Sequence, residues 1–279
     1  MRAHFLGVRG STPAPGLSFV RYGGHTSCLA LAHDGDEFPT LVLDAGTGIR
    51  RLSALCGAAP FSGTILLSHL HWDHFYGLPF SAATDRDDAR VDLLLPAQGD
   101  ATDAAEVLAR AMSPPHFPIR PDELRGKWSF GEVQPGTMEA EGFRVEAAAV
   151  PHKGGRTFGY RISDGRSVLT YIPDHCPGLL GTGPDGWGEY HPSAMSLASD
   201  SDALVHDSQM LADEMAAAVY FGHSVADYTV ELARRAGAKR AVLFHHQPDR
   251  PDEALDELAG LFGPQPQVIA ASQSLVLEL

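Results

Sequence analysis

Three histidines and an aspartate fall within six consecutive positions of the chain, in the stretch His69-Leu70-His71-Trp72-Asp73-His74. This stretch follows Gly63–Leu67, an apolar run rich in strand-forming residues, so it lies where a buried strand should end. Residues two apart on an extended backbone point to the same side, which predicts that His69, His71 and Asp73 project together. Burying so many polar groups without a ligand would be costly. The stretch therefore predicts a metal site, and the Asp73–His74 pair can begin a second one.

The rest of the chain predicts the elements that must position these residues. Apolar and alternating runs predict strands at 3–8, 28–32, 40–44, 64–67, 91–95, 143–150, 157–162, 167–171, 202–206, 240–244, 267–271 and 275–277. Helical spacing predicts helices at 49–55, 103–112, 209–219, 225–236 and 251–262, with Asp100 or Thr102 capping the second and a Ser224–Asp227 capping box starting the fourth. Residues 113–128 and 176–192 are predicted as loops. Each half runs from strands to helices, which predicts one domain over residues 1–279 with two sheets face to face and helices outside.

Three further polar residues follow predicted strands and could complete a metal centre, because a zinc ion needs about four ligands. They are His152, Asp174 and His245. Each of them alone could equally be a solvated loop residue. His246 is an open alternative to His245, since alternation along the strand directs only one of the two inward.

Composition limits the kinds of partner. The 279 residues carry a formal net charge of −14, with 44% hydrophobic and 20% charged residues, which is ordinary for a soluble globular protein. A general nucleic-acid binder needs a basic face to neutralise phosphates, so long DNA or RNA is not expected. Three scattered cysteines do not make a disulfide framework. With no signal-peptide pattern and no apolar run of about 20 residues, the sequence predicts a cytoplasmic protein with no membrane partner.

The HxHxDH pattern at His69–His74 is the signature of the metallo-β-lactamase superfamily, which this stretch closely resembles. The resemblance covers nearly the whole chain and implies an α/β fold, the αβ/βα sandwich of two mixed β-sheets face to face with helices outside. In that superfamily a third histidine, a bridging aspartate and a final histidine follow in chain order. The resemblance thus implies two divalent metal ions that share an aspartate, one held by His69, His71, His152 and Asp174 and the other by Asp73, His74, Asp174 and His245.

Asp44 resembles the family's first motif, whose usual role is to fix the geometry or the tautomer of a ligand histidine. A carboxylate that only closes the turn at Gly46–Gly48 is the alternative. His25, His116 and His175 have no role assigned from the sequence.

The C-terminal part resembles the phosphodiesterase branch that includes ribonuclease Z and smaller cyclic-phosphate hydrolases. The similar segments are His206-Asp207-Ser208, Phe221-Gly222-His223-Ser224 and Leu243-Phe244-His245. In ribonuclease Z an acidic residue and a histidine at these places form a proton-transfer pair, which implies catalytic roles for Asp207 and His223. An aspartate, Asp207, stands here where that family commonly has glutamate, and its side chain is shorter. The alternative for His223 is that it and Ser224 only form the start of a helix.

Ribonuclease Z also carries a long tRNA-gripping arm between its third histidine and bridging aspartate. In this chain a predicted hairpin takes up residues 153–173, so no arm fits. Together with the acidic net charge, this disfavours tRNA processing and favours a small anionic substrate.

The expected activity is that of a dinuclear metal-dependent hydrolase, most consistent with a phosphodiesterase acting on a small or cyclic phosphodiester. Two ions outweigh the charges of Asp73 and Asp174, which leaves a local attraction for an anion. The ions would lower the pKa of a shared water to about 7, Asp73 or Asp174 would orient the hydroxide that attacks phosphorus, and His223, steered by Asp207, would protonate the leaving oxygen. Lys153 and Arg156 either contact the phosphate or belong to a solvated turn.

Alternatives remain open for activity, metal and assembly. The same dimetal centre hydrolyses lactones, thioesters and β-lactams in other branches, so an acyl hydrolase is the alternative enzyme. A non-catalytic metal-binding sensor domain is a more distant one. Zinc is the expected metal, while manganese or iron would also suit mixed nitrogen and oxygen ligands. A homodimer is neither predicted nor excluded.

Overall fold

The computed structural model describes residues 1–99 and 103–279. The strands are β1 (Arg2–Gly7), β2 (Cys28–Ala32), β3 (Leu41–Leu43), β4 (Ser62–Leu66), β5 (Arg90–Pro96), β6 (Lys127–Val133), β7 (Gly136–Ala140), β8 (Phe143–Ala149), β9 (Phe158–Ser163), β10 (Val168–Ile172), β11 (Ala203–Asp207), β12 (Arg240–Phe244), β13 (Gln267–Ala270) and β14 (Val276–Glu278). The α-helices are α1 (Leu52–Cys56), α2 (Trp72–Phe75), α3 (Ala104–Ala109), α4 (Pro192–Ala198), α5 (Met215–Phe221), α6 (Ala226–Ala236) and α7 (Asp252–Leu258). Short 3-10 helices lie at Leu17–Phe19, Thr47–Arg51, Leu78–Phe80, Pro121–Glu123, Pro177–Leu180, Ala212–Glu214 and Ala259–Leu261.

The strands form two mixed sheets of seven strands each. The first has the order β14-β1-β2-β3-β4-β5-β6, and the second has the order β13-β12-β11-β10-β9-β8-β7. In the first sheet β3 to β6 run parallel, whereas β14, β1, β2 and β3 pair antiparallel. In the second sheet β10 to β13 run parallel and β7 to β10 pair antiparallel. The predicted hairpin at 157–171 is confirmed as β9 and β10.

The largest hydrophobic cluster lies between the sheets. It combines Phe5 and Leu31 of the first sheet with Phe143 and Val205 of the second, all buried. A second cluster packs α1 and α3 against the outer face of the first sheet, and a third packs α4, α5 and α6 against the second. This arrangement confirms the predicted sandwich with helices outside, because each sheet has one face on the shared core and one under helices. None of the helices in the described part of the chain has the length and hydrophobicity that crossing a membrane requires.

Some elements were missing or misplaced in the sequence-based prediction. Strand β6 begins inside the predicted 113–128 loop, and β7 and α4 were not predicted at all. Strands β6 and β7 lie at sheet edges and pair on one side only. Strand β6 contains a glycine and β7 begins with one, so the hydrophobic pattern of both is weak. Helix α5 starts later than the predicted 209–219 helix, because a 3-10 turn precedes it.

The predicted caps also differ. Asp103 caps α3, its side chain accepting a hydrogen bond from the backbone N–H of Ala105, while the suggested caps Asp100 and Thr102 lie outside the described residues. The Ser224–Asp227 capping box is wrong, because Val225 precedes α6 with no side-chain cap. The hydroxyl of Ser224 donates to the carbonyl of Val225 instead.

The fold gathers strand ends at one edge. Strands β10, β11 and β12 are parallel, so the residues that follow them lie at the same end of the second sheet. Strands β3 and β4 are parallel in the first sheet, and the polar stretch His69–His74 comes directly after β4. The next residue after β12 is His245.

Candidate metal centre

Four of the predicted ligands form one compact group. His69, His71, His152 and Asp174 each place one donor atom within 4.8 Å of the others. His152 Nε2 is 3.2 Å from His71 Nδ1 and 3.3 Å from Asp174 Oδ2. His69 Nε2 is 3.6 Å from the same carboxylate oxygen. The group draws on three chain segments, those that follow β4, β8 and β10.

A second group forms beside the first. Asp73, His74 and His245 also lie within 4.8 Å of one another, with His245 Nε2 3.0 Å and His74 Nε2 3.3 Å from Asp73 Oδ2. Asp174 Oδ1 is 3.1 Å from both His74 Nε2 and His245 Nε2. Asp174 thus presents Oδ2 to the first group and Oδ1 to the second, which is the arrangement of a bridging carboxylate.

The donor atoms fit divalent metal ions. Four ligands at about 2.0–2.1 Å from a tetrahedral zinc stand about 3.3 Å apart, close to the separations in both groups. Among the described residues, His69 Nε2 and Asp174 Oδ1 make no hydrogen bond although both are buried. A buried polar atom without a partner is costly, and a bound cation would remove that cost.

The charge states in the metal-free chain favour the same conclusion. Burial holds the pKa of His69 well below its usual range and lowers that of His152 to about 4, so both rings are neutral and keep a lone pair for a metal. Burial opposes ionisation of Asp174, but nearby imidazoles, led by His245, outweigh it and hold the pKa of this carboxyl well below its usual range. In the first group, neutral rings therefore face a carboxylate, which is a typical divalent-metal donor set. In the second group burial opposes protonation of His74, but Asp73 and Asp174 outweigh it and hold the pKa of this ring well above its usual range, so a metal ion must displace its proton.

Asp44 contacts the centre from behind. Its Oδ2 lies 2.8 Å from His74 Nδ1 and accepts hydrogen bonds from Tyr171 OH at 2.8 Å and Ser68 Oγ at 2.8 Å, and its Oδ1 accepts one from the Ser68 backbone N–H at 2.6 Å. Asp44 adopts a φ of 58°, unusual for a residue other than glycine. With Nδ1 of His74 engaged, its Nε2 faces Asp73 and Asp174, so the contacts favour tautomer control over turn closure.

Other supporting contacts had no signal in the sequence. The backbone N–H of Ser11 donates to Asp73 Oδ2 at 2.7 Å, and the Gln209 side-chain nitrogen lies 3.0 Å from Ser11 Oγ and 3.3 Å from His245 Nδ1. His152 Nδ1 donates to the carbonyl of Gly222 at 2.7 Å. These partners come from distant parts of the chain, so only the fold brings them to the ligands.

His245 and His246 point in different directions. His245 faces Asp73 and Asp174, with its own backbone at a φ of 59°. His246 is buried elsewhere and its Nε2 lies 2.8 Å from the carbonyl oxygen of Ala271. Burial lowers the pKa of His246 to about 3, so its ring stays neutral and donates to that carbonyl.

We expect His245→Ala to lose the ion of the second group and keep that of the first, because it removes one of the donors near Asp73. His246→Ala is the matched control: it should keep both ions but lower the free energy of unfolding by about 1–3 kcal/mol, since the buried Ala271 carbonyl loses its partner. Elemental analysis and chemical denaturation measure the two effects. Loss of an ion in His246→Ala with retention in His245→Ala would reverse the assignment.

A histidine–carboxylate pair lies next to the ligands. His223 Nδ1 is 3.0 Å from Asp207 Oδ2, which also accepts the backbone N–H groups of His175 at 3.1 Å and Ser224 at 3.3 Å. Asp207 Oδ1 accepts the backbone N–H of Gln209 at 3.1 Å. These donors fix a buried carboxylate behind the His223 ring. Ser224 is the one that lies just before α6, where a capping box was expected.

The ring of His223 is protonated at neutral pH in the metal-free chain. Burial disfavours the charged ring, but the Asp207 carboxylate outweighs this effect and raises the pKa of His223 to about 9. His223 Nδ1 is also 3.9 Å from Asp174 Oδ2. The 3.0 Å contact between Asp207 and His223 shows that the aspartate side chain reaches the histidine although it is shorter than that of glutamate.

The two suggested phosphate contacts are not brought to the centre. Lys153 donates its ammonium to the carbonyl of Tyr220 and lies over the ring of the same residue. Arg156 contacts Gln98 through its backbone, and neither basic residue lines the cavity above the ligands. The structure therefore gives no support to a phosphate contact by either residue, and the contacts of Lys153 favour the alternative of a structural turn.

The unassigned histidines have separate positions. His25 Nδ1 lies 3.2 Å from Thr47 Oγ1, and His116 lines a small apolar cavity beside Phe80. His175 Nδ1 lies 3.0 Å from His206 Nε2 in the interior. None of them belongs to the two ligand groups among the described residues.

An open cavity of about 370 Å³ lies above the ligands. Its lining consists of Ser11, Leu70, His71, Trp72, Asp73, Asp174, Phe221 and His223. Atoms of both ligand groups and of the His223 ring therefore face one space, in which a small molecule can contact metal ions and a proton donor together.

Known proteins resemble this chain in sequence and in fold. A ribonuclease Z from Salinibacter ruber is 28% identical over 84% of this chain and 83% of its own length, and a ribonuclease BN from Cronobacter sakazakii is 27% identical over 88% of each. Among solved structures, a diphosphatase of the PhnP family superposes with a TM-score of 0.72 at 18% identity, covering 100% of this chain and 97% of its own, and the short form of human tRNase Z superposes with 0.67 at 19% identity, covering 100% and 99%.

The family model described as a beta-lactamase superfamily domain matches residues 40–246. The matched region contains every residue of the two ligand groups. The chain therefore belongs to the β-lactamase superfamily, as a metal-dependent hydrolase with the metallo-β-lactamase fold.

Proposed function

We propose that this chain is a zinc-dependent phosphodiesterase that cleaves a small or cyclic phosphodiester. The observation that carries the proposal is the Asp207–His223 pair, in which a buried carboxylate holds Nδ1 of a histidine that faces the same cavity as both ligand groups. A phosphodiester with an alkoxide leaving group needs such a proton donor. The relatives named ribonuclease Z and the diphosphatase of similar fold support the same type of chemistry.

The ligand roles follow from the two groups. One ion would be held by His69, His71, His152 and Asp174, and the other by Asp73, His74, His245 and Asp174. When bound, divalent ions there supply an acidified water as nucleophile and neutralise charge that develops on the phosphoryl oxygens. Zinc suits a donor set of neutral imidazoles and carboxylates at these separations.

The residues of the chain provide the rest. Asp73 Oδ2 is held by the Ser11 backbone N–H, so this carboxylate is fixed towards the cavity and can orient a water molecule. His223 donates its proton to the leaving oxygen, while Asp207 holds the ring by Nδ1 and leaves Nε2 free for the substrate. Three backbone N–H groups immobilise Asp207, so the donor needs little reorganisation during the reaction.

The surroundings favour a small substrate. Residues between His152 and Asp174 form the β9–β10 hairpin, which leaves no length there for an extended arm. Within residues 1–99 and 103–279, neither lysine nor arginine lines the cavity, and the net charge of the chain is −14. A long polyanion requires many basic contacts, whereas a single phosphodiester requires only the metal ions.

Metal content and a substrate panel test the proposal. The purified chain should saturate at two zinc ions per chain by elemental analysis, and it should hydrolyse bis-p-nitrophenyl phosphate and a cyclic nucleotide faster than a lactone or a thioester. Removal of the ions by a chelator should abolish this activity, and added zinc should restore it.

Three outcomes would contradict the proposal. Saturation at one ion would break the ligand assignment, and faster hydrolysis of the lactone or the thioester would make the chain an acyl hydrolase. Turnover of none of the four substrates by the two-zinc protein would favour a binding domain without catalytic activity.

A further inference from the structure

Two aromatic side chains at the rim of the cavity are unusually exposed. Trp72 is 62% exposed and Phe221 is 59% exposed, although both line the same cavity as the ligands and His223. Tryptophan is highly buried on average, so an exposed indole beside a polar cavity floor needs an explanation. A polar floor with apolar walls is the usual composition of a small-molecule site.

The indole of Trp72 is held in place before any ligand binds. Trp72 begins α2 and lies between two candidate ligands, His71 and Asp73. Its ring stacks on that of Tyr76, with centroids 5.3 Å apart and an angle of 4° between the planes. Residues four apart on a helix face one another, so Tyr76 supports the indole and fixes its direction. One surface of the ring is thus supported while most of the side chain stays in solvent.

The ring of Phe221 is also held by a rigid backbone. Phe221 is the last residue of α5, and Gly222 ends the helix with a φ of 95°, a conformation that favours glycine. The Gly222 carbonyl accepts a hydrogen bond from His152 Nδ1, and Lys153 donates to the carbonyl of Tyr220. A lysine at a helix C-terminus is favourable, which gives Lys153 a structural role. Phe221 is therefore exposed on an ordered helix end that is bonded to a candidate ligand.

The chemistry of this rim limits what it can bind. Bound metal ions and His223 would account for the phosphodiester, but among the residues that the structure describes the cavity lining offers no lysine or arginine for the rest of a substrate. Exposed aromatic rings instead offer stacking, which any flat aromatic group can use. Leu70 adds a further apolar side chain to the same lining.

We infer that Trp72 and Phe221 form an aromatic subsite for a planar aromatic group, a nucleobase or another aryl, attached to the phosphodiester. The inference rests on the proposed phosphodiesterase function and narrows its substrate class. Phosphodiesters with only aliphatic substituents are poor substrates in this scheme. The two rings are specificity-determining residues because they contact the substrate away from the reacting atoms.

Binding of product-like phosphomonoesters to the zinc-reconstituted chain tests the subsite without turnover. Adenosine 2′-monophosphate and phenyl phosphate should bind at least about tenfold more tightly than glycerol 1-phosphate in calorimetric titrations, as expected for one stacked ring. The order of the two aromatic ligands distinguishes a nucleobase subsite from one for simple aryl esters.

Variants assign the preference to the rim. Trp72→Ala and Phe221→Ala should each lower the preference for the aromatic ligands severalfold, whereas Trp72→Phe, which keeps a planar ring, should retain most of it. Phe80→Ala is the matched control, because Phe80 is 59% exposed like Phe221 but does not line this cavity. It should leave the preference unchanged. Zinc content, measured for every variant, excludes loss of the ions as the cause.

Hydrolysis of two cyclic esters gives a second readout. Adenosine 2′,3′-cyclic phosphate and glycerol 1,2-cyclic phosphate share the reacting five-membered ring, and Trp72→Ala should lower kcat/KM for the adenosine ester about tenfold while changing that for the glycerol ester much less. Equal losses on both esters, or an unchanged binding preference in both alanine variants, would overturn the subsite. If the native chain hydrolyses neither ester but hydrolyses a lactone, the phosphodiesterase proposal fails while the binding titrations still decide the subsite.

Discussion

Asp174→Asn is expected to leave both metal positions poorly occupied and to reduce phosphodiester hydrolysis by at least about 10³-fold. The physical reason is the shared carboxylate, because Oδ2 serves one ligand group and Oδ1 the other. An amide has nearly the same shape but no charge, and its nitrogen cannot act as a metal ligand in place of an oxygen. A 10³-fold loss corresponds to about 4 kcal/mol of transition-state stabilisation, a reasonable value when metal assistance is removed.

Single-group variants provide the comparison for Asp174→Asn. His71→Ala should empty the first position only, and His245→Ala the second only, so each should retain about one ion per chain. Asp88→Asn is the control for removing one negative charge, because Asp88 is exposed and pairs with Arg86 on the surface. It should retain two ions and full activity. An Asp174→Asn variant that still binds two ions would show that the carboxylate is not shared.

His223→Ala is expected to reduce hydrolysis of an alkyl or cyclic phosphodiester by about 10²–10⁴-fold, the usual contribution of a general acid. An alkoxide or a ribose oxygen leaves reluctantly without a proton, whereas p-nitrophenolate leaves almost unaided. Bis-p-nitrophenyl phosphate should therefore be affected much less, and metal content should not change. Equal losses on both substrates would show that His223 is not the general acid and has only a structural role before α6.

The pH dependence gives an independent check on this role. Burial lowers the pKa of His223, but the Asp207 carboxylate more than compensates and raises it to about 9. That value belongs to the metal-free chain, where Asp174 and Asp73 also raise the pKa of His223, and bound cations oppose protonation of the ring. A general acid acts only when protonated, so turnover of the alkyl ester by the zinc-loaded chain should fall at alkaline pH, at or below about 9. Asp207→Asn removes the negative charge that stabilises the protonated His223 ring, so the decrease in turnover should occur at lower pH. In this variant hydrolysis of the alkyl ester should again decrease more than that of bis-p-nitrophenyl phosphate, but less than in His223→Ala. His223→Ala should abolish the alkaline fall.

The metal-ligand predictions could be made from the sequence because the signal is local. His69, His71, Asp73 and His74 share one short stretch, and the family resemblance supplied the order of the later residues. The structure brings all seven candidate ligands into two adjacent groups. The face-to-face sheets followed from the same resemblance.

The supporting residues could not be predicted, since they depend on contacts between distant segments. Ser11 contacts Asp73, which lies 62 residues later in the chain, and Gln209 contacts both Ser11 and His245. The failed capping box has a related cause. Ser224 begins a helical pattern in sequence, but its backbone N–H is engaged by Asp207, so the local preference gives way to a tertiary contact.

The suggested phosphate contacts of Lys153 and Arg156 gain no support from the structure, because proximity to His152 in sequence says nothing about side-chain direction. Lys153 follows that ligand immediately, yet its ammonium donates to the end of α5. The missed strands β6 and β7 show the same limit at the level of secondary structure, since an edge strand buries too little to impose a clear alternation.

The left-handed backbone at Asp44 and His245 limits how far this chain can be stabilised by mutation. At an ordinary left-handed position, such as Asp200 with a φ of 51°, glycine is a natural replacement because it adopts that conformation without steric cost. At Asp44 the same replacement would remove the carboxylate that orients His74. At His245 it would remove a candidate metal ligand. The strain of about 1–3 kcal/mol that each such residue carries is thus tied to retention of the metal centre. Glycine at Asp44 would also leave the buried Tyr171 hydroxyl and the Ser68 donors without their acceptor, a cost of about 1–3 kcal/mol for each group. Relief of backbone strain therefore gives no net stabilisation at Asp44, unlike at Asp200.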